Sequence, residues 1–410
     1  MAFKDGSGNI VITDEGVLNH SGFREPSSPI LANTETKITA SDGASTDRFG
    51  FSVAVGSGRI CVGAYRNDDA GSNSGSAYIF DLDGNELTKI TASDGASDDN
   101  FGFSVAVGSG RIVVGARFDD DAGTDSGSAY IFDLDGNELA KITASDADGN
   151  DRFGTSVAVG SGRIVVGAYR DDPNGTDSGS AYIFDLDGNE LTKITASDGF
   201  NNDGFGESVA VGSGRICVGA YLDDDNGTDS GSAYIFDLDG NELTKITASD
   251  GASGDEFGRL VAVGSGRIVV GAYFANRELT SGAAYIYDLD GNELTKITAS
   301  GAAANDRFGQ SVAVGSGRIC VGAYRDNGIT IDDGSVYIYD LDGNESAKIN
   351  ASDAIIADFF GASVAVGSGR IVSGAWGSNA KGSNSGSAYI YDLGEDYNTH
   401  IESIIDTKQV

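Results

Sequence analysis

Apolar and polar residues alternate in short runs along most of the chain, and the runs return at a fixed interval. One copy, Asp151 to Asp198, reads "DRFGTSVAVGSGRIVVGAYRDDPNGTDSGSAYIFDLDGNELTKITASD". It parses into "SVAVG", the turn "SG", "RIVVGAY", an acidic loop, "SAYIFDL", the turn "DGN" and "ELTKITAS". Short runs rich in Val, Ile, Tyr, Phe and Thr, bounded by Gly, Asp or Asn, are strand signals, and "DG" between two of them is a hairpin signal. No segment carries a helical period.

The Phe of a Phe-Gly pair serves as a ruler: Phe49, Phe101, Phe153, Phe205, Phe257, Phe308 and Phe360, in steps of 52, 52, 52, 52, 51 and 52 residues. A repeat of this length, with four strands in each, predicts a propeller in which every unit buries its faces against its neighbours. The last copy ends after "SAYIYDLGED" without an "ELTKITAS" strand, while an orphan "TETKITAS" (Thr34 to Ser41) precedes the first. Pairing that N-terminal strand with the seventh copy closes a ring and covers an exposed blade edge. The expectation is an all-β, seven-bladed β-propeller with four antiparallel strands per blade. The division is an N-terminal arm at 1–33, the propeller at 34–394 and a C-terminal tail at 395–410.

The "FG.SVAVG...RIVVGAY...GSAYIF" pattern, with "TASDGA..DRFG" linkers, resembles the FG-GAP repeat of integrin-alpha-like β-propellers, in its bacterial and viral form. The resemblance spans about Thr34 to Leu393. It implies the propeller fold and an adhesion, recognition or scaffold role, since one fold hosts many functions. Integrin-like copies often carry an acidic calcium loop between the first two strands. Here that connection is "GSGR" in every copy, so those sites do not transfer.

The chain has 410 residues, 40% of them hydrophobic, and carries 27 Lys plus Arg against 62 Asp plus Glu, a net charge of -35. It can bury a large core, and its field repels nucleic acid and anionic membranes while favouring cations. The start, "MAFKDGSGNIVITDEGVLNH", lacks the basic segment and apolar run of a secretory signal, and no stretch is long and apolar enough to span a bilayer. The chain is therefore expected to stay in the cell, to leave by another route, or to be packed into a particle such as a virion. Cys61, Cys217 and Cys320 share one buried strand slot in non-adjacent copies, which predicts small hydrophobes rather than disulfides. His20 and His400 both lie outside the repeats, which removes Ser/His, Cys/His and His-ligated zinc chemistry from the ring. Carboxylates that recur from blade to blade argue against a glycosidase pair, and the protein is expected not to be an enzyme.

Positions that recur in all copies are scaffold. Arg59, Arg111, Arg163, Arg215, Arg267, Arg318 and Arg370 follow the first hairpin. Asp81, Asp133, Asp185, Asp237, Asp288, Asp340 and Asp392 open the second. Both hairpins share a face, so the two sets are expected to pair with each other. The Asp two residues before each ruler Phe, Asp47 through Asp358, is expected to accept from backbone amides of the inter-blade linker.

Variation concentrates in the loop between the second and third strands, which is acidic in copies one to four. Asp119, Asp121 and Asp125, then Asp171, Asp172 and Asp177, then Asp223, Asp225 and Asp229 form clusters of oxygen ligands suited to Ca²⁺ or, alternatively, simply solvated turns. No cofactor is required, and Ca²⁺ is the one cation the loops suggest. Tyr65, Tyr169, Tyr221, Tyr273, Tyr324 and Trp376 end the second strand, with Arg117 in that slot of blade two. They are candidates for stacking on a cell-surface glycan or for packing blade on blade. The arm, "NIVITDEGVL" and "SSPILA" included, is a candidate docking segment for a protein partner in a larger assembly. The first functional expectation is a structural, adhesion or interaction module of a phage particle or surface assembly. The alternative is a secreted, calcium-stabilised or carbohydrate-binding propeller.

Overall fold

The computed structural model of the chain describes residues 32–275 and 280–394. Within them the chain forms seven four-stranded antiparallel sheets and no helix. Six sheets are simple meanders, such as Ser52–Gly56, Arg59–Ala64, Ser76–Phe80 and Glu86–Ile90 in blade one. The seventh is composite: Ser363–Gly367, Arg370–Ala375 and Ser387–Asp392 are completed on the outer edge by Ala32–Ile38. Closure by the N-terminal strand is thus as the repeat count required. It starts at Ala32, two residues ahead of the "TETKITAS" match, with Ala32 opposite Asp392 and Ile38 opposite Ala388.

The first hairpin is tight because Ser57 and Gly58 both take positive φ, 48° and 75°, the arrangement whose twist matches the flanking strands. In the second, Asp81 receives the amides of Asp83 and Asn85 at 3.0 and 2.9 Å and the Asn85 amide side chain at 2.8 Å. "DLDGNE" is therefore a self-capped turn.

The core lies between blades. Cys61, Ile79 and Ile90 of blade one pack on Phe101, Val105, Ile112 and Phe132 of blade two. The seven ruler phenylalanines are fully buried. Phe101 meets Tyr130 and Phe132 edge-on at centroid distances of 5.4 and 6.0 Å, and the same pair of contacts recurs around the ring. The cysteines are buried free thiols, their pKa pushed up to about 12 by burial.

Glycine sets how closely blades approach. A Cβ on Gly63 of "VGA" would collide with the Gly102 carbonyl oxygen of the next blade, which is the shortage of space its recurrence suggests. At the hairpin end, a Cβ on Gly56 would meet the Val107 carbonyl oxygen, and the series continues through Gly367 against Val55. Innermost strands of neighbouring blades touch there. At the opposite face, which carries the linkers and acidic loops, the innermost strand of one blade instead meets the second strand of its neighbour, as Gly102 does Gly63, and the mouth of the channel lies there.

Candidate functional site

Three recurring contacts tie the ring together, the first two sevenfold and the third sixfold among the described residues. Glu86, Glu138 and their equivalents receive the amide and hydroxyl of a Ser in the preceding blade, Ser41 at 3.0 and 2.7 Å in the first case. The closing strand repeats this contact, since Glu35 accepts from Ser352 at 3.0 and 2.7 Å. The linker Asp accepts a backbone amide as expected, Ala44 to Asp47 at 2.8 Å and Ile355 to Asp358 at 3.0 Å. Burial pushes these carboxyls upward, to about 6 for Asp99, Asp151 and Asp203.

The third contact corrects an expectation. Apart from Arg370, which does meet Asp392, hairpin arginines such as Arg59 and Arg163 form no ion pair among the described residues with the Asp that opens the second hairpin, because that Asp is spent on its own turn. Arg59 instead reaches into the next blade, where Nε donates to the Leu134 carbonyl at 3.1 Å and Nη2 lies 3.6 Å from Asp135. Arg370 does the same across the closure, to Leu82 and Asp83, and also meets Asp392 at 3.1 Å.

In the acidic loops the carboxylates gather around an ammonium supplied by the fourth strand. Lys141 lies 2.7 Å from Asp94 and 2.9 Å from Asp119, and pairs with Asp121 as well. Tyr130 donates to Asp94 and Asp119 at 2.7 and 2.8 Å. Burial works against the charges, but these bonds outweigh it, holding Lys141 above and Asp94 below their ordinary values. Blade four repeats the set, with Lys245 at 2.8, 2.9 and 2.6 Å from Asp198, Asp223 and Asp225. In blade three Pro173 replaces the third carboxylate, so Lys193 meets Asp146 and Asp171 alone, beside a cleft of ≈ 400 Å³.

The remaining members of the proposed ligand triplets point elsewhere. Asp125, Asp177 and Asp229 sit at positive φ, and their amides donate to Asp120, Asp172 and Asp224 at 2.8, 2.6 and 2.8 Å. Among the described residues no group of three or more His, Cys, Asp or Glu side chains is arranged to hold a metal ion. The sequence reading overlooked the lysine of "TKI" and the tyrosine of "SAYIF". Their recurrence in every blade made them look like filler, although recurrence opposite a recurring Asp was the available signal.

The mouth of the channel differs. It is built from four slots per blade: the residue before the ruler Phe, the residue two after it, the end of the second strand and the residue following. Single residue types recur, Tyr in five copies of one slot, but no two blades carry the same set of four. The slots hold Tyr65, Tyr169, Tyr221, Tyr273, Tyr324 and Trp376, of which Tyr65 and Tyr273 are buried and the others half-buried. They also hold eight arginines against two glutamates, Glu207 and Glu256. Arg48, Arg152 and Arg307 precede a ruler Phe, Arg259 follows one, and Arg117, Arg66, Arg170 and Arg325 come from the ends of second strands.

Guanidinium and aromatic groups stack between blades at this mouth. Arg117 lies 3.6 Å from the Phe103 ring centroid and 4.5 Å from that of Phe118, and Arg152 follows at 5.0 Å from Phe118. Arg48 lies 4.7 Å from Trp376, Arg259 4.5 Å from Tyr221, and Arg307 4.0 Å from Phe274. Phe51 meets Phe103 at 5.0 Å, and Tyr324 meets Phe359 at 5.7 Å. Six of the seven blade junctions are bridged in this way. Tyr65, Tyr221, Tyr273, Tyr324 and Trp376 therefore pack against a neighbouring blade, whereas Tyr169 contacts Arg152 and Arg170 of its own blade. Burial raises the carboxyl of Glu207 against the opposing pull of Arg259, Arg117 and Arg152.

The model of the FG-GAP repeat matches residues 33–80, 85–132, 137–184, 189–236, 241–287, 292–339 and 344–391. The protein is a β-propeller of the interaction and adhesion type, and the chain belongs to the FG-GAP repeat family. Each matched unit begins on the outer strand of one blade and ends on the third strand of the next. Seven whole units therefore give seven blades only once the first strand joins the last sheet. A search of curated proteins found no match.

Proposed function

We propose that the protein is a non-enzymatic structural, adhesion or interaction module within a larger assembly, such as a phage particle or a surface complex. On this reading the terminal segments mount it and the channel mouth meets a partner. The observation that carries it is the contrast between faces. The hairpin face repeats blade after blade, whereas the mouth is different in every blade, as a surface shaped for one partner would be. Ala32 pairs with Asp392 at the hairpin face, so the described residues begin and end there, opposite the mouth. The arm beyond Ala32 and the tail from residue 395 lie outside the described residues.

Imaging and fractionation of the native source test this. Full-length chain is expected to co-sediment with a particle, and a chain lacking residues 1–31 to be released from it; free full-length protein would overturn the reading. A second reading, a secreted calcium-stabilised or sugar-binding propeller, has behind its sugar-binding part the half-buried rings of Tyr169, Tyr221, Tyr324 and Trp376, each of which carries an arginine. Glycan-array binding with and without chelator distinguishes it.

A further inference from the structure

We propose that the channel mouth is a carboxylate-binding surface whose partner is a short acidic polypeptide segment, seated by the guanidinium edges of Arg117, Arg152 and Arg307. The inference rests on the interaction-module reading and names the chemistry of the partner.

The first observation is an imbalance. In a chain with 27 basic and 62 acidic residues, cations would be expected to find carboxylates easily. The fourth-strand lysines do so, from Lys37 with Asp353 to Lys348 with Asp326, and hairpin arginines such as Arg163 and Arg267 do as well. At the mouth, among the described residues, one arginine of the eight has a carboxylate partner: Arg259, 2.9 Å from Glu256. Glu207 and Glu256 are the carboxylates set among the eight guanidiniums of these slots, and Glu207 is shared by Arg117, Arg152 and Arg259, so positive charge is in excess there and an incoming anion would relieve it.

The second observation concerns hydrogen bonds. Arg117 Nε, Arg152 Nε and Arg307 Nη1 are buried donors with no partner among the described residues. Arg152 Nη1 donates to Tyr169 at 2.6 Å, but the Arg117 guanidinium makes no hydrogen bond to a described residue. Orphaned buried donors are rare in folded proteins and mark places where water, an ion or a ligand completes the structure.

The third observation selects the ligand. Arg117 packs against two rings, Phe103 and Phe118, neither of which offers a conventional acceptor, so its N–H groups still lack one among the described residues. A guanidinium edge matches a carboxylate, which accepts two parallel hydrogen bonds. The same stacking covers the aromatic faces that a sugar would need. A long polyanion is disfavoured because Asp120, Asp172 and Asp224 of the acidic loops lie exposed on this face, so a strand extending outward from the mouth would cross them. A peptide that places a few carboxylates at the mouth avoids that repulsion, since charges further away are screened within about 8 Å at physiological salt.

Fluorescence anisotropy of the purified full-length chain with a labelled hexaglutamate peptide tests the proposal. An oligogalacturonate of equal charge, a short oligothymidylate and a neutral Gly-Ser peptide serve as comparators. The expected result is saturable binding of hexaglutamate that weakens with salt and exceeds that of each comparator. Binding should weaken at least about tenfold in Arg117→Gln/Arg152→Gln and persist in Lys381→Gln, which lies outside the mouth. If the double glutamine variant fails to fold, Arg117→Lys/Arg152→Lys keeps the charge but loses the fork, and should also bind more weakly. Absent binding, equal or tighter binding of uronate or nucleic acid, or full binding by a folded double variant would each overturn the proposal. The measurement uses the isolated protein, so its failure is separable from failure to find the chain on a particle.

Discussion

The two faces of the ring use the same polar side chains for opposite ends. On the hairpin face six of the seven blades hand an arginine to the next blade's Leu carbonyl and exposed Asp, and in the first six blades the turn Asp is bonded by its own loop. At the mouth, arginines stack on aromatic rings, one has a carboxylate partner among the described residues, and buried donors are left over. Satisfied, repeated polar groups make a scaffold; unsatisfied and unrepeated ones make a surface that awaits something. Within one chain the repeats themselves supply the contrast.

The largest effect should come from undoing the closure. Deleting residues 1–41 removes the strand Ala32–Ile38 together with the Glu35–Ser352 and Lys37–Asp353 contacts, and bares the edge of Ser387–Asp392. The expected outcome is aggregation or loss of a cooperative unfolding transition in urea, whereas deletion of 1–31 leaves the transition in place. A cooperative, monomeric Δ1–41 chain would show that the ring does not depend on its latch.

Next in size is a matched pair of substitutions. Phe153→Ala removes a fully buried ring that touches Tyr182 and Phe184 at 5.5 and 5.9 Å, and should cost about 3–5 kcal/mol. Phe103→Ala, at the half-buried mouth, should cost less than about 2 kcal/mol while removing the ring beneath Arg117. Equal losses in urea titrations would mean that the mouth is as much core as the blade interfaces.

Fold and site were unequally legible. Strand number, blade number and closure could be read because the ring imposes one geometry on every copy, so seven ruler phenylalanines and one displaced "TETKITAS" were enough. The linker Asp was legible for the same reason. Pairing across blades was not: Arg59 and Asp81 look like partners on a shared face, and only the twist of the sheets decides that Arg59 meets Leu134 and Asp135 instead. The acidic loops misdirected attention, since their charge stands out in the sequence while the compensating Lys141 is 20 residues from Asp121 on another strand. The mouth was hardest, because residues that differ from copy to copy resemble drift until coordinates bring Arg48, Arg117 and Arg152 to one rim.

Lys141→Met tests whether the loops are ordered by that ammonium. It would leave Asp94, Asp119 and Asp121 facing one another, and should cost about 1–3 kcal/mol. Calorimetric melting of the wild type is expected to be the same in Ca²⁺ and in EDTA, because lysine occupies the place a cation would take. The variant, with its carboxylates freed, should gain a calcium-dependent rise. A chelator-sensitive wild type would instead restore the calcium reading.

Acidity should separate two sets of carboxyls in the scaffold. Asp99, Asp151 and Asp203 have folded pKa values of about 6, above the ordinary 3.8, so their protonated form favours the folded state. Their contribution is complete below the ordinary value and is lost as pH rises through 6. Asp42, Asp94, Asp198 and their equivalents, lowered against the effect of burial by bonds to Lys and Tyr, contribute above 3.8 and are lost as pH falls through their folded values. The melting temperature should rise by a few degrees from about pH 7.5 to about pH 5 and fall again below about pH 3.5. A monotonic fall from neutral pH would show that the linker carboxyls stay ionised in the folded ring.

The smallest effect separates two parts of one contact. Arg163 donates from Nε to the Leu238 carbonyl at 3.1 Å, while its Nη2 lies 3.6 Å from an Asp239 carboxylate that is 82% exposed. An exposed pair at that distance is worth little, so Asp239→Asn should change stability by no more than about 0.5 kcal/mol. Arg163→Ala removes the carbonyl's partner and the packing of the side-chain stem, and should cost about 1 kcal/mol. If the two substitutions are equal in denaturant titrations, the hairpin face is joined by charge. If only the arginine matters, blades are joined there by a backbone hydrogen bond that happens to come from a cation, and the ring's unspent electrostatic energy lies at the mouth.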